Sequence, residues 1–199
     1  MAKRIEIDSP TEPIAANKRV LVVDDNPSIH DDFRKILSQP SRRNDALEQA
    51  ETNLFGRESV AGTETKYDLD FAANGESAIE KVTEAENSGR EFALAFVDVR
   101  MAPGIDGVET TVKLMELSKD LQIVICTAYS DYSWSDMQDK IGESDRVLIL
   151  KKPFDNIEVL QCASTLTEKW RLQKESSQRI EGLTNFIRKQ SDTEAADAS

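Results

Sequence analysis

The chain has 199 residues, 37 of them acidic against 25 basic, for a formal net charge of −12, and 39% are hydrophobic. That acidity excludes a nucleic-acid binder working through general phosphate neutralisation, and no apolar run approaches the roughly 20 residues of a membrane span. Two distant cysteines, Cys126 and Cys162, and a single histidine, His30, exclude a disulfide framework and a Cys/His metal centre. They fit a reducing, cytoplasmic protein.

Residues 1–17, which carry Pro10 and Pro13, read as a flexible lead without a secretory signal. Order begins at Arg19. The β-branched run Val20-Leu21-Val22-Val23 is a short strand apolar on both faces, as in parallel sheets, and it ends in Asp24-Asp25. Asn26-Pro27-Ser28 then opens a helix in which Ile29, Phe33, Ile36 and Leu37 keep helical spacing. Further strands are predicted near 67–72, 92–98, 121–127 and 146–151, and helices near 75–88, 106–118, 131–141 and from 155 onward. Strands alternating with helices predict an α/β fold with a parallel sheet and right-handed crossovers.

Two stretches exceed what such a fold needs. Gln39 to Lys66 is far longer than the usual connection of about 2–6 residues. Its Leu47, Ala50 and Leu54 fall on one face of a short inserted helix, either a surface elaboration or a partner-docking element. After Phe154 the chain stays helical. Val159, Ala163, Leu166, Trp170, Gln173, Ser177, Ile180, Thr184 and Ile187 alternate by four and three, a heptad-like seam that is polar in its middle and weakened by Gly182. Dimerisation through this helix and folding back on the domain both fit. Residues 166–190 are thus a helical extension and 191–199 a small, acidic tail expected to be disordered.

The predicted strands deliver chemistry at their carboxyl ends: Asp24 and Asp25, Asp98, Thr127, and Lys152 followed by Pro153. In an open α/β sheet these ends converge where ligands bind. Three clustered carboxylates repel one another unless a hard divalent cation sits among them, and magnesium takes oxygen ligands. A carboxylate beside such a cation is a nucleophile toward phosphorus, while a lysine and a hydroxyl offset charge on the transferred group. The set suits phosphoryl transfer onto Asp98.

These residues occur in runs that resemble the receiver domain of bacterial two-component response regulators. The runs are Val20-Leu21-Val22-Val23-Asp24-Asp25-Asn26, Val97-Asp98-Val99-Arg100-Met101, Asp106-Gly107, Thr127-Ala128 and Lys152-Pro153-Phe154, in family order over roughly residues 19–162. The resemblance implies a flavodoxin-like, doubly wound sheet of five parallel strands in the order 2-1-3-4-5. It spans residues 18–165, with the 39–66 insertion between the first helix and the second strand. It implies that Asp98 is the phosphoacceptor and that Asp24, Asp25, Asp98 and the backbone carbonyl of Arg100 hold Mg2+ or Mn2+. Thr127, Ala128 and Lys152 would contact the phosphoryl group, and the peptide before Pro153 would be cis.

Two departures stand out. The loop Met101 to Gly107 is one residue longer than usual, and Ile149 stands where the family carries a switch aromatic, a role Tyr129 would partly take. Arg100 and Tyr129 flank the expected phosphoryl position, and their bulk predicts slow self-dephosphorylation. The resemblance implies partners: a sensor histidine kinase or phosphotransfer protein upstream and a protein target downstream, with no nucleic acid and no membrane. It implies a phosphoacceptor without an output domain rather than a turnover enzyme. A magnesium-dependent phosphohydrolase with an aspartate nucleophile would need a second Asp where Arg100 stands. A receiver-like module that is never phosphorylated would have little use for the full residue set.

Overall fold

The structure, a computed structural model, describes residues 14–38, 66–128 and 134–197. Strands β1 (Arg19–Val23), β2 (Asp68–Ala72), β3 (Leu94–Asp98), β4 (Gln122–Thr127) and β5 (Val147–Lys151) alternate with helices α1 (Pro27–Ser38), α2 (Gly75–Asn87), α3 (Gly107–Leu117), α4 (Trp134–Ile141) and α5 (Asn156–Asp197). All pairings are parallel, and the sheet order is β2-β1-β3-β4-β5. This is the doubly wound, flavodoxin-like order predicted above.

The inner strands explain why the sequence folds this way. Side chains alternate across a strand, so an all-apolar strand must bury both faces. Val20, Val22, Leu94, Phe96 and Val124 pack beneath α1 and α5. Leu21, Val23, Ala95, Val97, Ile123 and Ile125 pack beneath α2, α3 and α4. Each such side chain, fully buried, stabilises the fold by about 1.5–3 kcal/mol, so the two cores fix the register. The helix starts are capped locally. Asn74 Oδ1 accepts from Ser77 N at 2.8 Å, and Asp106 Oδ1 accepts from Glu109 N at 2.8 Å.

The parallel register then aligns the carboxyl ends. Val23 pairs with Val97, Asp98 with Cys126 and Thr127 with Lys151. Asp24, Asp98, Thr127 and Lys152 therefore reach one edge of the sheet without any loop needing to carry them there.

The structure adds detail that the sequence left open. The seam read along α5 is divided: Val159, Ala163, Leu166 and Trp170 are buried in the domain, whereas Ile180 and Ile187 are exposed, as is Leu183, which lies outside that seam. The proximal half packs on its own sheet because that face is apolar, and it shares the covering of that face with α1. Helix α5 runs on to Asp197; after Gly182 no glycine or proline interrupts it, and Ala195 and Ala196 favour helix. His30 is half-buried on α1, with its ring 4.9 Å from that of Phe71. The N-terminal lead before Ile14, the inserted segment from Gln39 to Thr65, and Tyr129 lie outside the described residues. Among the described residues no helix is long and apolar enough to cross a membrane.

Candidate functional site at the carboxyl edge of the sheet

Two of the three site carboxylates are buried, Asp24 at 3% and Asp98 at 9% exposure, while Asp25 is exposed. Oxygens of the three lie within 4.8 Å of one another. Lys152 Nζ donates to Asp24 Oδ2 at 2.9 Å and forms an ion pair with Asp98 Oδ1 at 2.7 Å. Asp24 Oδ1 also accepts from the Asn26 backbone N–H at 2.9 Å, which leaves little freedom to its carboxylate.

The electrostatics follow from this crowding. Burial pushes the Asp98 carboxyl above the usual carboxylate range. Asp24 and Asp25 push the same way, against Lys152. For Lys152, burial pulls the ammonium down, but its bonds and charge interactions with Asp98 and Asp24 outweigh burial and hold it above the ordinary lysine value. The lysine is therefore a fixed cation spanning two acids, and the site keeps an excess of negative charge. Three hard oxygen donors with that excess fit a divalent cation.

Backbone elements hold the frame. Lys152 N donates to Thr127 O at 2.7 Å, tying the end of β5 to the end of β4. Thr127 is buried at 4%, and its hydroxyl donates to Ala128 O at 3.0 Å. The Lys152–Pro153 peptide is cis, as is Ala102–Pro103. Arg100 is exposed, two residues beyond Asp98 at the start of the β3–α3 loop. Ile149 sits opposite Ile125 on β5 and packs against the core under α4. It lines a groove of about 470 Å³ with Met137, Ile141 and Val147, away from the carboxylates. Cys126 is a buried, space-filling thiol, which burial pushes far above its ordinary value.

Three contacts were not legible in the sequence. Asp25 Oδ2 accepts from Ala102 N at 3.5 Å, and Glu76 Oε1 accepts from Ile105 N at 3.2 Å. Together they pin the β3–α3 loop from the turn after β1 and from α2. Gly104 within it has φ +127°, which only glycine adopts without strain. Gly107 N donates to Val99 O at 2.9 Å, and a Cβ at Gly107 would stand 1.9 Å from the Asp98 carbonyl oxygen. The start of α3 thus lies directly on the backbone of Asp98. The Asp106-Gly107 pair was visible as a motif, but this contact was not.

A sequence profile described as the response regulator receiver domain matches residues 48–164. The match begins after β1, so Asp24 and Asp25 lie outside it, and the sheet pairing of β1 brings them to the site. No curated protein matches the sequence. Solved structures resemble the chain in fold. An adenylate cyclase from Rhodopirellula baltica shares 18% identity over 83% of this chain and 98% of its own, with TM-score 0.61. A signal receiver domain of an HD domain-containing protein from Pseudomonas fluorescens Pf-5 shares 18% over 81% and 95%, with TM-score 0.56. A CheY-like response regulator receiver domain protein from Methanospirillum hungatei JF-1 shares 20% over 79% and 98%, with TM-score 0.53.

Proposed function

Because the chain belongs to the response regulator receiver domain family of two-component signalling, we propose that it accepts a phosphoryl group on Asp98 and signals by binding a protein target differently in the two states. The observation that carries this reading is the Lys152 ammonium spanning Asp24 and Asp98 beside Asp25 at the carboxyl edge of the sheet.

Asp24, Asp25 and Asp98, with the Arg100 backbone carbonyl, are the residues that would hold Mg2+ or Mn2+. Bound there, the cation supplies charge neutralisation to the transferred group. An Asp98 carboxylate oxygen attacks phosphorus, the bond from phosphorus to the donor breaks, and the electron pair leaves with the donor, a phosphohistidine of a kinase or phosphotransfer protein, or acetyl phosphate. Lys152 releases Asp98 Oδ1 to the incoming phosphorus and keeps a cation beside the new phosphoryl oxygens. The Thr127 hydroxyl and the backbone at Ala128 complete the cradle. A differential interaction of a few kcal/mol between the two states suffices to shift a target-binding equilibrium.

The protein phosphorylates and dephosphorylates itself in this scheme but turns over no separate substrate. Arg100 crowds the in-line approach of water and slows loss of the group. The reading makes the protein cytoplasmic, where kinases draw on nucleoside triphosphate and thiols such as Cys126 and Cys162 stay reduced.

The experiment is labelling with acetyl phosphate and Mg2+, followed by mapping of the label. A single acid-stable, base-labile phosphate on Asp98, absent from Asp98→Asn, is expected. Sustained release of phosphate from varied esters, or no label in the wild-type protein, would overturn the reading.

A further inference from the structure

Helix α5 is two structures on one rod. Its proximal half is fixed to the amino-terminal edge of the sheet. Lys169 pairs with Asp145 at 3.1 Å, Gln173 Oε1 accepts from Gln122 Nε2 at 2.7 Å, and Lys174 bridges Glu91 and Asp120 at 2.7 and 2.8 Å. Beyond Glu175 the helix leaves these contacts. There Ile180, Leu183 and Ile187 stand 62%, 55% and 63% exposed. Spacings of three and four put them on one stripe. A soluble surface does not need three large aliphatic side chains in one line, and such a stripe marks an interaction face.

We propose that this stripe pairs with the same stripe of a second copy of the chain, as a parallel, in-register two-stranded coiled coil. Three features select this occupant. Written as heptads, Ile180 and Ile187 take position a and Leu183 position d, and β-branched a residues with leucine at d favour two parallel strands. In parallel register each apolar layer meets itself. In an antiparallel register that pairs these layers, one isoleucine meets the position of Ser176 or Gln190 instead. Across the parallel seam Arg179 faces Thr184 of the second copy, so no like charges meet, and Arg179 keeps its bond to Glu175 of its own helix at 2.6 Å. Gly182 falls at position c, away from the seam, with open space around it. The pairing stands apart from Asp98 chemistry and brings two receivers to the same end of the coil.

Three exposed aliphatic residues per copy bury less than the roughly 1,200 Å² of a standard interface, so the dimer is weak and depends on concentration. Sedimentation of the full chain between about 1 and 300 µM tests it. A monomer–dimer equilibrium with Kd on the order of 10–100 µM is expected. Leu183→Ser should weaken it at least tenfold, while circular dichroism and acetyl phosphate labelling of Asp98 stay unchanged. Gly182→Ala should tighten it by strengthening the helix. A Ser176→Cys variant should crosslink to itself on oxidation faster than a Gln178→Cys control. A chain that is monomeric throughout overturns the proposal. It does so whether Leu183→Ser then destabilises the monomer, which means the stripe folds back, or leaves it unchanged, which means the face serves another protein. A dimer indifferent to Leu183→Ser, or one without preferential crosslinking at 176, overturns the seam or its direction. Loss of Asp98 labelling in every variant and in the wild type would count against the phosphoacceptor reading alone.

Discussion

Much of the site's geometry rests on one missing methyl group. The backbone N–H of Gly107 donates to Val99, and a Cβ there would overlap the Asp98 carbonyl at 1.9 Å. The oxygen belongs to main chain in a central strand, so it cannot rotate aside as a flexible side chain would. Either α3 or the end of β3 must move. Overpacking of this kind costs about 1–3 kcal/mol. Gly107→Ala is therefore expected to lower the urea midpoint by about 1 M and to reduce Mg2+-dependent labelling of Asp98, since the carboxylate travels with its backbone. Gly182→Ala, with nothing within 4 Å of the new methyl, is the control and should leave the midpoint unchanged or raise it. Equal midpoints for Gly107→Ala and the wild type would show that α3 yields freely and does not position Asp98.

At the scale of elements, α5 is held by polar contacts where it crosses the base of the sheet, and Lys174 is the central one. Burial opposes its charge, yet Asp120 and Glu91 overcome burial and raise its titration above the ordinary lysine value. A base whose folded pKa is raised adds stability that is complete below the unfolded lysine pKa and is lost as pH climbs through the folded one. The clamp is therefore intact at neutral pH and fails only in the alkaline range. The group is about a quarter exposed, so Lys174→Ala is expected to cost only about 1 kcal/mol. Its signature is local: faster amide hydrogen exchange in α5 from Trp170 onward, with labelling of Asp98 retained. Unchanged exchange in that segment would show that Trp170 and Leu166 hold the helix alone.

The same helix shows where the sequence stops being informative. The inner strands were legible because Val20–Val23 and Leu121–Thr127 have no polar face, a pattern set by local chemistry alone. Asp24, Asp98, Thr127 and Lys152 were legible because each closes such a strand, and topology does the rest. Along α5, by contrast, period 3.6 reports only that a face is apolar. Burial of Trp170 on the chain's own sheet and exposure of Ile180 look identical in that pattern. Glu76 escaped notice for a related reason: its bond to Ile105 crosses between elements far apart in sequence, and an exposed glutamate on a helix carries no mark of it.

Over the whole molecule, parallel strands gather carboxylates from different parts of an already acidic chain to one edge, and one lysine does not balance them. Burial, joined by Asp24 and Asp25, raises the Asp98 pKa above that of an unfolded aspartate. Between the unfolded and folded values the folded state binds the extra proton, so stability falls as pH rises through that window. At pH 7 ionised Asp98 therefore costs stability when no cation is bound. Asp98→Asn should then raise the melting temperature in chelator by a few degrees, the change that about 1 kcal/mol produces in a chain of this size. Mg2+ should act mainly on the wild-type protein. A ligand at 100 times its Kd adds about 2.7 kcal/mol, so millimolar Mg2+ should raise the wild-type melting temperature by several degrees, and Asp25→Asn or Asp98→Asn by much less. Screening of the −12 net charge is separated by matching ionic strength with a monovalent salt. If the monovalent salt raises all three proteins as much as Mg2+ does, the carboxylates do not form a cation site, and the excess charge at the sheet edge is general acidity.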